Sequence, residues 1–223
     1  MDRIDSEQPL WQLDLQFKDP IRRRLFPIVK APLQKALLLD RINSLYRQIE
    51  ESLEPSQFLA AIEKILKIQY RIAEKDLERI PQKGSVIVVM NHPFGGIEGI
   101  ILASLLQSRR SDIKIMANFL LAGIPELRDL FIFVDPFQQK DSVGKNIKAL
   151  REAIHWVQEG GMLGVFPAGE VAHYHFNHRK VIDPPWSETI ARLIKKQGPL
   201  FYLFLSKDRT GLFFRLPVLS IPD

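Results

Sequence analysis

The spacing of apolar positions along the chain changes near residue 84. Before it, Ile42, Leu45, Ile49 and Leu53 recur at steps of three and four, the spacing of one helix face. Pro55-Ser56 interrupts that face, and Ser56 suits the cap of a second helix with Phe58, Ile62, Ile65, Leu66, Gln69 and Ile72 along one side. Upstream, Pro9, Pro20, Pro27 and Pro32 limit any helix to short pieces, and nothing in residues 1–83 reads as a strand. Beyond the turn cluster Pro81-Gln82-Lys83-Gly84, short continuous apolar runs alternate with helical stretches. Ser85–Met90, Ile113–Ala117, Phe131–Val134 and Met162–Phe166 read as buried strands, and Glu98–Gln107, Ser142–Gln158 and Ser187–Lys196 as helices. Trp186, at the start of the last helix, reads as core. This alternation predicts an α/β fold, a sheet flanked by helices, over residues 84–223, with an N-terminal helical segment over residues 1–83.

Composition narrows the function classes. With 46% apolar and 26% charged residues, the 223-residue chain has the make-up of an ordinary globular protein and not of a disordered one. No apolar run approaches the roughly 18 residues a membrane span needs, and no charged-then-apolar leader opens the chain, so a cytoplasmic location is expected. The absence of cysteine excludes disulfides, thiolate catalysis and cysteine-bound zinc. A net charge of +5 points to an anionic partner. Arg22, Arg23 and Arg24, with Lys18, Lys30 and Lys35 among Leu25, Phe26, Ile28 and Leu33, mix cations with apolar residues. That mixture fits contact with an anionic membrane surface, and equally a solvated face over an N-terminal core helix. Nucleic acid is not an expected partner, because no aromatic-interleaved RNA-binding motif, zinc finger or helix-turn-helix is present.

The sharpest chemical feature is Asn91-His92-Pro93-Phe94-Gly95-Gly96-Ile97-Glu98, which leaves a buried strand and opens a helix. Sites in open α/β sheets collect beyond the carboxyl ends of strands, where His92 falls. Histidine takes up a proton near neutrality, and Glu98 can accept the other ring N–H, fixing the tautomer and stabilising the imidazolium. Gly95 and Gly96 let the chain turn tightly between them. A plain strand–helix turn would carry the same residues without chemistry. The glycine pair lacks the lysine and hydroxyl of a phosphate-binding loop. A second strand runs into Phe166-Pro167-Ala168-Gly169-Glu170, and a third, Phe131-Ile132-Phe133-Val134, ends in Asp135. His173, His175 and His178 follow as His-Tyr-His-Phe-Asn-His; a solvated basic loop, extended by Arg179-Lys180, accounts for them better than a metal site does.

In order and spacing these three blocks resemble those of the glycerolipid (lysophospholipid) acyltransferase superfamily, most closely its hemolysin-labelled bacterial branch. The resemblance covers about residues 84–197. It implies transfer of a fatty acyl group from an acyl thioester, either acyl-CoA or acyl carrier protein, to a hydroxyl of a lysolipid, with no further cofactor and no metal. His92 would be the general base and Glu98 its orienting partner. Asn91, Gly95, Gly96, Asp135, Phe166, Pro167, Gly169 and Glu170 would lie in the substrate-binding blocks, and the protein would sit peripherally on the inner membrane face. A thioester donor needs no enzyme nucleophile, in keeping with the missing cysteine and the missing G-x-S-x-G elbow.

The chain also departs from that pattern. Five residues separate His92 from its acid, and the acid is Glu, where the superfamily usually has four and Asp. Asp135 stands where an arginine usually grips a phosphate, and the third block has lost its usual arginine. Without those bidentate cations, an acceptor with another headgroup, such as a lyso-aminolipid of the ornithine-lipid kind, fits better than lysophosphatidic acid. The last 26 residues, from Gly198, depart most. They lack the family's fourth block, yet can be back-translated so that another reading frame restores it. A frameshift, which would make the chain an inactive remnant or a lipid-binding protein of the same fold, and a divergent final hairpin both account for them.

Overall fold

The computed structural model describes Arg24 and residues 39–49, 53–93, 95–135, 142–175, 179–182, 184–197, 200–207 and 212–215. In chain order the elements are α1 (Leu39–Tyr46), α2 (Pro55–Leu66), β1 (Tyr70–Ile72), α3 (Glu74–Glu78), β2 (Val86–Met90) and α4 (Gly96–Gln107). Then come β3 (Ile113–Asn118), two short 3₁₀ turns, β4 (Phe131–Val134), α5 (Ser142–Gln158) and β5 (Met162–Val165). The chain continues with β6 (His173–His175), β7 (Lys180–Ile182), α6 (Glu188–Gln197), β8 (Leu200–Lys207) and β9 (Leu212–Arg215).

Seven strands form one sheet in the order β1-β9-β8-β2-β5-β3-β4, and β6 and β7 pair as a separate antiparallel ribbon. Five neighbours, β8, β2, β5, β3 and β4, run parallel. Strand β9 turns back antiparallel on β8, and β1 lies parallel to β9 at the edge. Every residue of β2 is buried, as a central parallel strand covered on both faces requires. Its side chains alternate between two cores. Val86, Val88 and Met90 face a cluster with Ile101, Leu102 and Leu106 of α4 and Phe58 and Leu59 of α2. Ile87 and Val89 face Ala149, Ala153 and Val157 of α5 and Ile190 of α6. The result is helix–sheet–helix layering, the α/β architecture expected.

The N-terminal segment differs from expectation in four ways. The first helix ends at Tyr46, so Ile49 and Leu53 lie beyond it. Residues 70–72 form a strand where only helix is expected, because β9 offers them a parallel partner from the far end of the chain. The second helix stops at Leu66: Lys67 turns left-handed at φ 52° and its N–H bonds the Lys64 carbonyl, which removes Gln69 and Ile72 from the helix. Its cap is Glu54, not Ser56; the Glu54 N–H donates to Gln57 Oε1 at 3.2 Å. Tyr46 and Phe58 meet edge to face at 6.0 Å, and the Tyr46 hydroxyl lies 2.9 and 3.1 Å from the two Glu126 carboxylate oxygens. Trp186 is also misjudged by the sequence pattern, being 41% exposed and two residues ahead of α6.

One glycine position follows directly from packing. A Cβ on Gly161 would fall 2.6 Å from Cε2 and 2.7 Å from Cδ1 of Trp156, whose Nε1–H donates to the Met162 carbonyl at 3.0 Å. The ring cannot retreat without losing that bond. Gly161→Ala is therefore expected to cost about 1–3 kcal/mol, read as a lower urea midpoint at unchanged slope.

Candidate functional site

Because five strands are parallel, their carboxyl ends share one edge of the sheet. Met90 hands the chain to Asn91-His92, Val165 to Phe166-Pro167, Asn118 to Phe119, and Val134 to Asp135. The turn after β2 needs glycine at Gly95, whose φ of 79° and ψ of −129° suit no residue with a Cβ. From there α4 begins, with Glu98 in its first turn, where the helix dipole favours a carboxylate.

That geometry brings His92 Nδ1 to 3.5 Å from Glu98 Oε2. The Glu98 side chain is fully buried and that of His92 is 18% exposed. A carboxylate in such a place is costly unless it has polar or cationic company, and the imidazole supplies it. Phe166, at the end of β5, lies against the imidazole with ring centroids 4.3 Å apart and planes 32° apart. The first and third sequence blocks are thus one site. Two further contacts join them: the Ala172 N–H donates to the His92 carbonyl at 2.9 Å, and Val171 packs over Gly95.

The other expected residues fall around this centre. Asn91 is half-buried, Gly95 and Pro167 are buried, and Gly96, Gly169 and Glu170 are exposed. Gly169 takes φ 68° and its N–H closes a turn on the Phe166 carbonyl at 3.0 Å. Asp135 shares the edge but not the centre. Strands β5 and β3 lie between β2 and β4, so it stands about three strand spacings of ~4.8 Å from the His92 strand. Its backbone is bracketed by Asn146 of α5, which accepts from the Asp135 N–H and donates to the Asp135 carbonyl, both at 2.8 Å. Arg24 is exposed; Arg22 and Arg23 lie outside the described residues, as does His178. Among the described residues no group of three or more His, Asp or Glu side chains is arranged to hold a metal, and no helix is long and apolar enough to cross a membrane.

Sequence reasoning missed the residues that tie the blocks together. Ala172 and Ser187, whose N–H bonds the Pro167 carbonyl at 2.9 Å, act through backbone hydrogen bonds and leave no side-chain signature, whereas Asn146 acts through its side-chain amide. Asn146, an amide inside a helix that follows a strand, was the one visible signal.

A parallel α/β sheet with a histidine–carboxylate pair at its carboxyl edge defines the class. The family described as Acyltransferase matches residues 16–221, and the chain belongs to it. Two similar proteins are each named lyso-glycine lipid O-acyltransferase. One, from Bacteroides thetaiotaomicron, is 28% identical over 91% of this chain and 72% of its own length. The other, from Phocaeicola vulgatus, is 26% identical over 71% of this chain and 54% of its own length.

Proposed function

We propose that this protein transfers a fatty acyl group from an acyl thioester, acyl-CoA or acyl carrier protein, to the hydroxyl of a lysolipid, working from the cytoplasmic face of the membrane. The observation that carries the reading is the 3.5 Å approach of His92 Nδ1 to Glu98 Oε2 at the carboxyl edge of the sheet. With Nδ1 turned to the carboxylate, Nε2 is the nitrogen directed to substrate. It takes the proton of the acceptor hydroxyl as the oxygen attacks the thioester carbonyl carbon. The tetrahedral intermediate then expels the thiolate, which takes the proton back from the imidazolium. One C–O bond forms, one C–S bond breaks, and the base returns unchanged. Buried Glu98 holds the ring and balances its transient charge, and Phe166 fixes the ring plane by stacking.

The names of the two relatives and the aspartate at the arginine position both favour an aminolipid acceptor over a phosphate monoester. A second reading, a catalytically silent lipid-binding member, draws on the atypical residues after Gln197. Sequencing the gene past that codon tests the frameshift directly. The enzyme reading is tested by incubating purified protein with an acyl-CoA or acyl carrier protein and a panel of lysolipids, with the ester product read by mass spectrometry. Ester formation is expected with lyso-glycine or lyso-ornithine lipid above that with lysophosphatidic acid. A wild-type yield equal to that of His92→Ala across the panel would leave the silent reading standing.

A further inference from the structure

The exposed large apolar side chains are unevenly placed. Among the described residues they are Leu66, Ile97, Phe119, Ile147, Val171 and Trp186, each between 37% and 46% exposed. Four of them belong to segments that leave the carboxyl ends of the parallel strands. Ile97 precedes Glu98 in the first turn of α4, and Phe119 follows β3 directly. Val171 packs over Gly95, and Trp186 adjoins Ser187, which is bonded to Pro167 of the third block. One such side chain alone would be ordinary for a protein surface, but here four sit on connections at the same edge of the sheet, the edge that carries His92.

Cations lie beside them. The β6–β7 ribbon begins immediately after Val171 and is pinned to His92 through the Ala172 N–H. Residues 173–180 carry two fixed cations, Lys180 and the exposed Arg179, and no acidic residue, while the exposed Glu170 adjoins Val171 and the exposed Glu188 follows Ser187. Apolar groups on several separate loops, with the Arg179-Lys180 pair on the ribbon beside them, match the layered chemistry of an anionic bilayer surface better than the continuous apolar stripe of a protein interface.

We infer that the carboxyl edge of the sheet is the face by which the protein sits on an anionic lipid bilayer, with Phe119, Val171 and Trp186 entering the acyl boundary and the β6–β7 ribbon over the headgroups. The inference rests on the lipid-acceptor reading for its purpose but not for its test. It places the contact at the site itself, whereas the sequence pattern alone points to Arg22–Arg24.

The test is flotation of the full chain with phosphatidylglycerol vesicles and, separately, phosphatidylcholine vesicles. Wild type is expected to bind the former in preference. A Phe119→Ser/Val171→Ser/Trp186→Ser variant with an unchanged circular-dichroism melt is expected to lose at least about tenfold in vesicle affinity, and Arg179→Ser about fivefold. Brominated lipids are expected to quench wild-type fluorescence, and Trp186→Phe, which keeps the apolar contact, is expected to bind while losing that quenching. Undiminished binding by the triple variant, or equal quenching with and without Trp186, overturns the inference. So does binding lost only on replacing Arg22–Arg24. Self-association of the wild type without vesicle binding, abolished in the triple variant, would overturn it in favour of a second copy of the chain. Vesicle binding without turnover separates failure of the enzyme reading from failure of this one.

Discussion

On the proposed scheme His92→Ala is expected to lower kcat about 10²–10⁴-fold with little change in KM for the thioester, since a general base acts in the transition state. The fold should survive, because the imidazole is a partly exposed group at the end of β2 and not part of either core. Glu98→Gln separates the two roles. The side chain keeps its volume inside the apolar surroundings of α4, where Glu98 is fully buried, but loses the charge that balances an imidazolium. Its amide can also present N–H to Nδ1, which favours the tautomer with the proton on Nε2, the wrong one for a base. A fall in kcat with an altered pH profile is therefore expected at an unchanged melting temperature. Ester formation measured across pH with one acyl-CoA and one lyso-aminolipid checks both variants. Equal kcat for wild type and His92→Ala would remove the base from the scheme, and a Glu98→Gln enzyme with full activity would remove its partner.

How far this could be read in advance depends on where the determining contacts lie along the chain. Strand β4 and helix α5 occur over the residues expected, Phe131–Val134 and Ser142–Gln158, because each is specified by its own apolar spacing. The His92–Glu98 pair was legible for the same reason: both residues lie within one strand–turn–helix unit and Gly95 supplies the backbone angle that joins them. Strand β1 was not legible. Tyr70-Arg71-Ile72 is too short to show a period, and it is a strand only because Leu212–Phe214 lies beside it. The stacking of Phe166 on His92 follows from β5 lying next to β2, a fact of strand order that no local pattern contains. Strand order also separates Asp135 from the centre, although the motif sequence places it between the other two blocks. For Trp186 an aromatic beside a helix reads as core by composition, and its exposure emerges only with the loop that carries it.

The opposite edge of the sheet carries the second large expectation. Arg110, with a side chain only 3% exposed, sits where β2, β3 and β5 begin. Its Nη1–H donates to the Gly84 carbonyl at 2.8 Å and its Nη2–H to the Gly160 carbonyl at 2.7 Å. Nε donates to Asp112 Oδ1 at 2.5 Å, and Nη2 also bonds Asp112 Oδ2. One planar group thus fixes the residues leading into three strands, a geometry that lysine cannot copy. Arg110→Met removes the bonds to both carbonyls at about 0.5–1.5 kcal/mol each, a total loss of about 1–3 kcal/mol in urea denaturation. Asp112 is half exposed and Gly84 exposed, so both recover water when the arginine goes, and the less exposed Gly160 carbonyl carries most of that loss. The pair also has a pH signature. Hydrogen bonding to Arg110 holds the Asp112 carboxyl below its ordinary value of 3.8. A carboxyl lowered in the folded state binds fewer protons there than in the unfolded chain. Its contribution is present above that ordinary value and is lost as pH falls through the folded one. Unfolding midpoints followed downward through the carboxylate range should fall in wild type, with the Asp112 part of the fall absent from both Arg110→Met and Asp112→Asn. If Asp112→Asn follows the wild-type curve throughout, the acid sensitivity belongs to other carboxylates. If Arg110→Met melts with wild type, the three strand starts do not depend on the clamp.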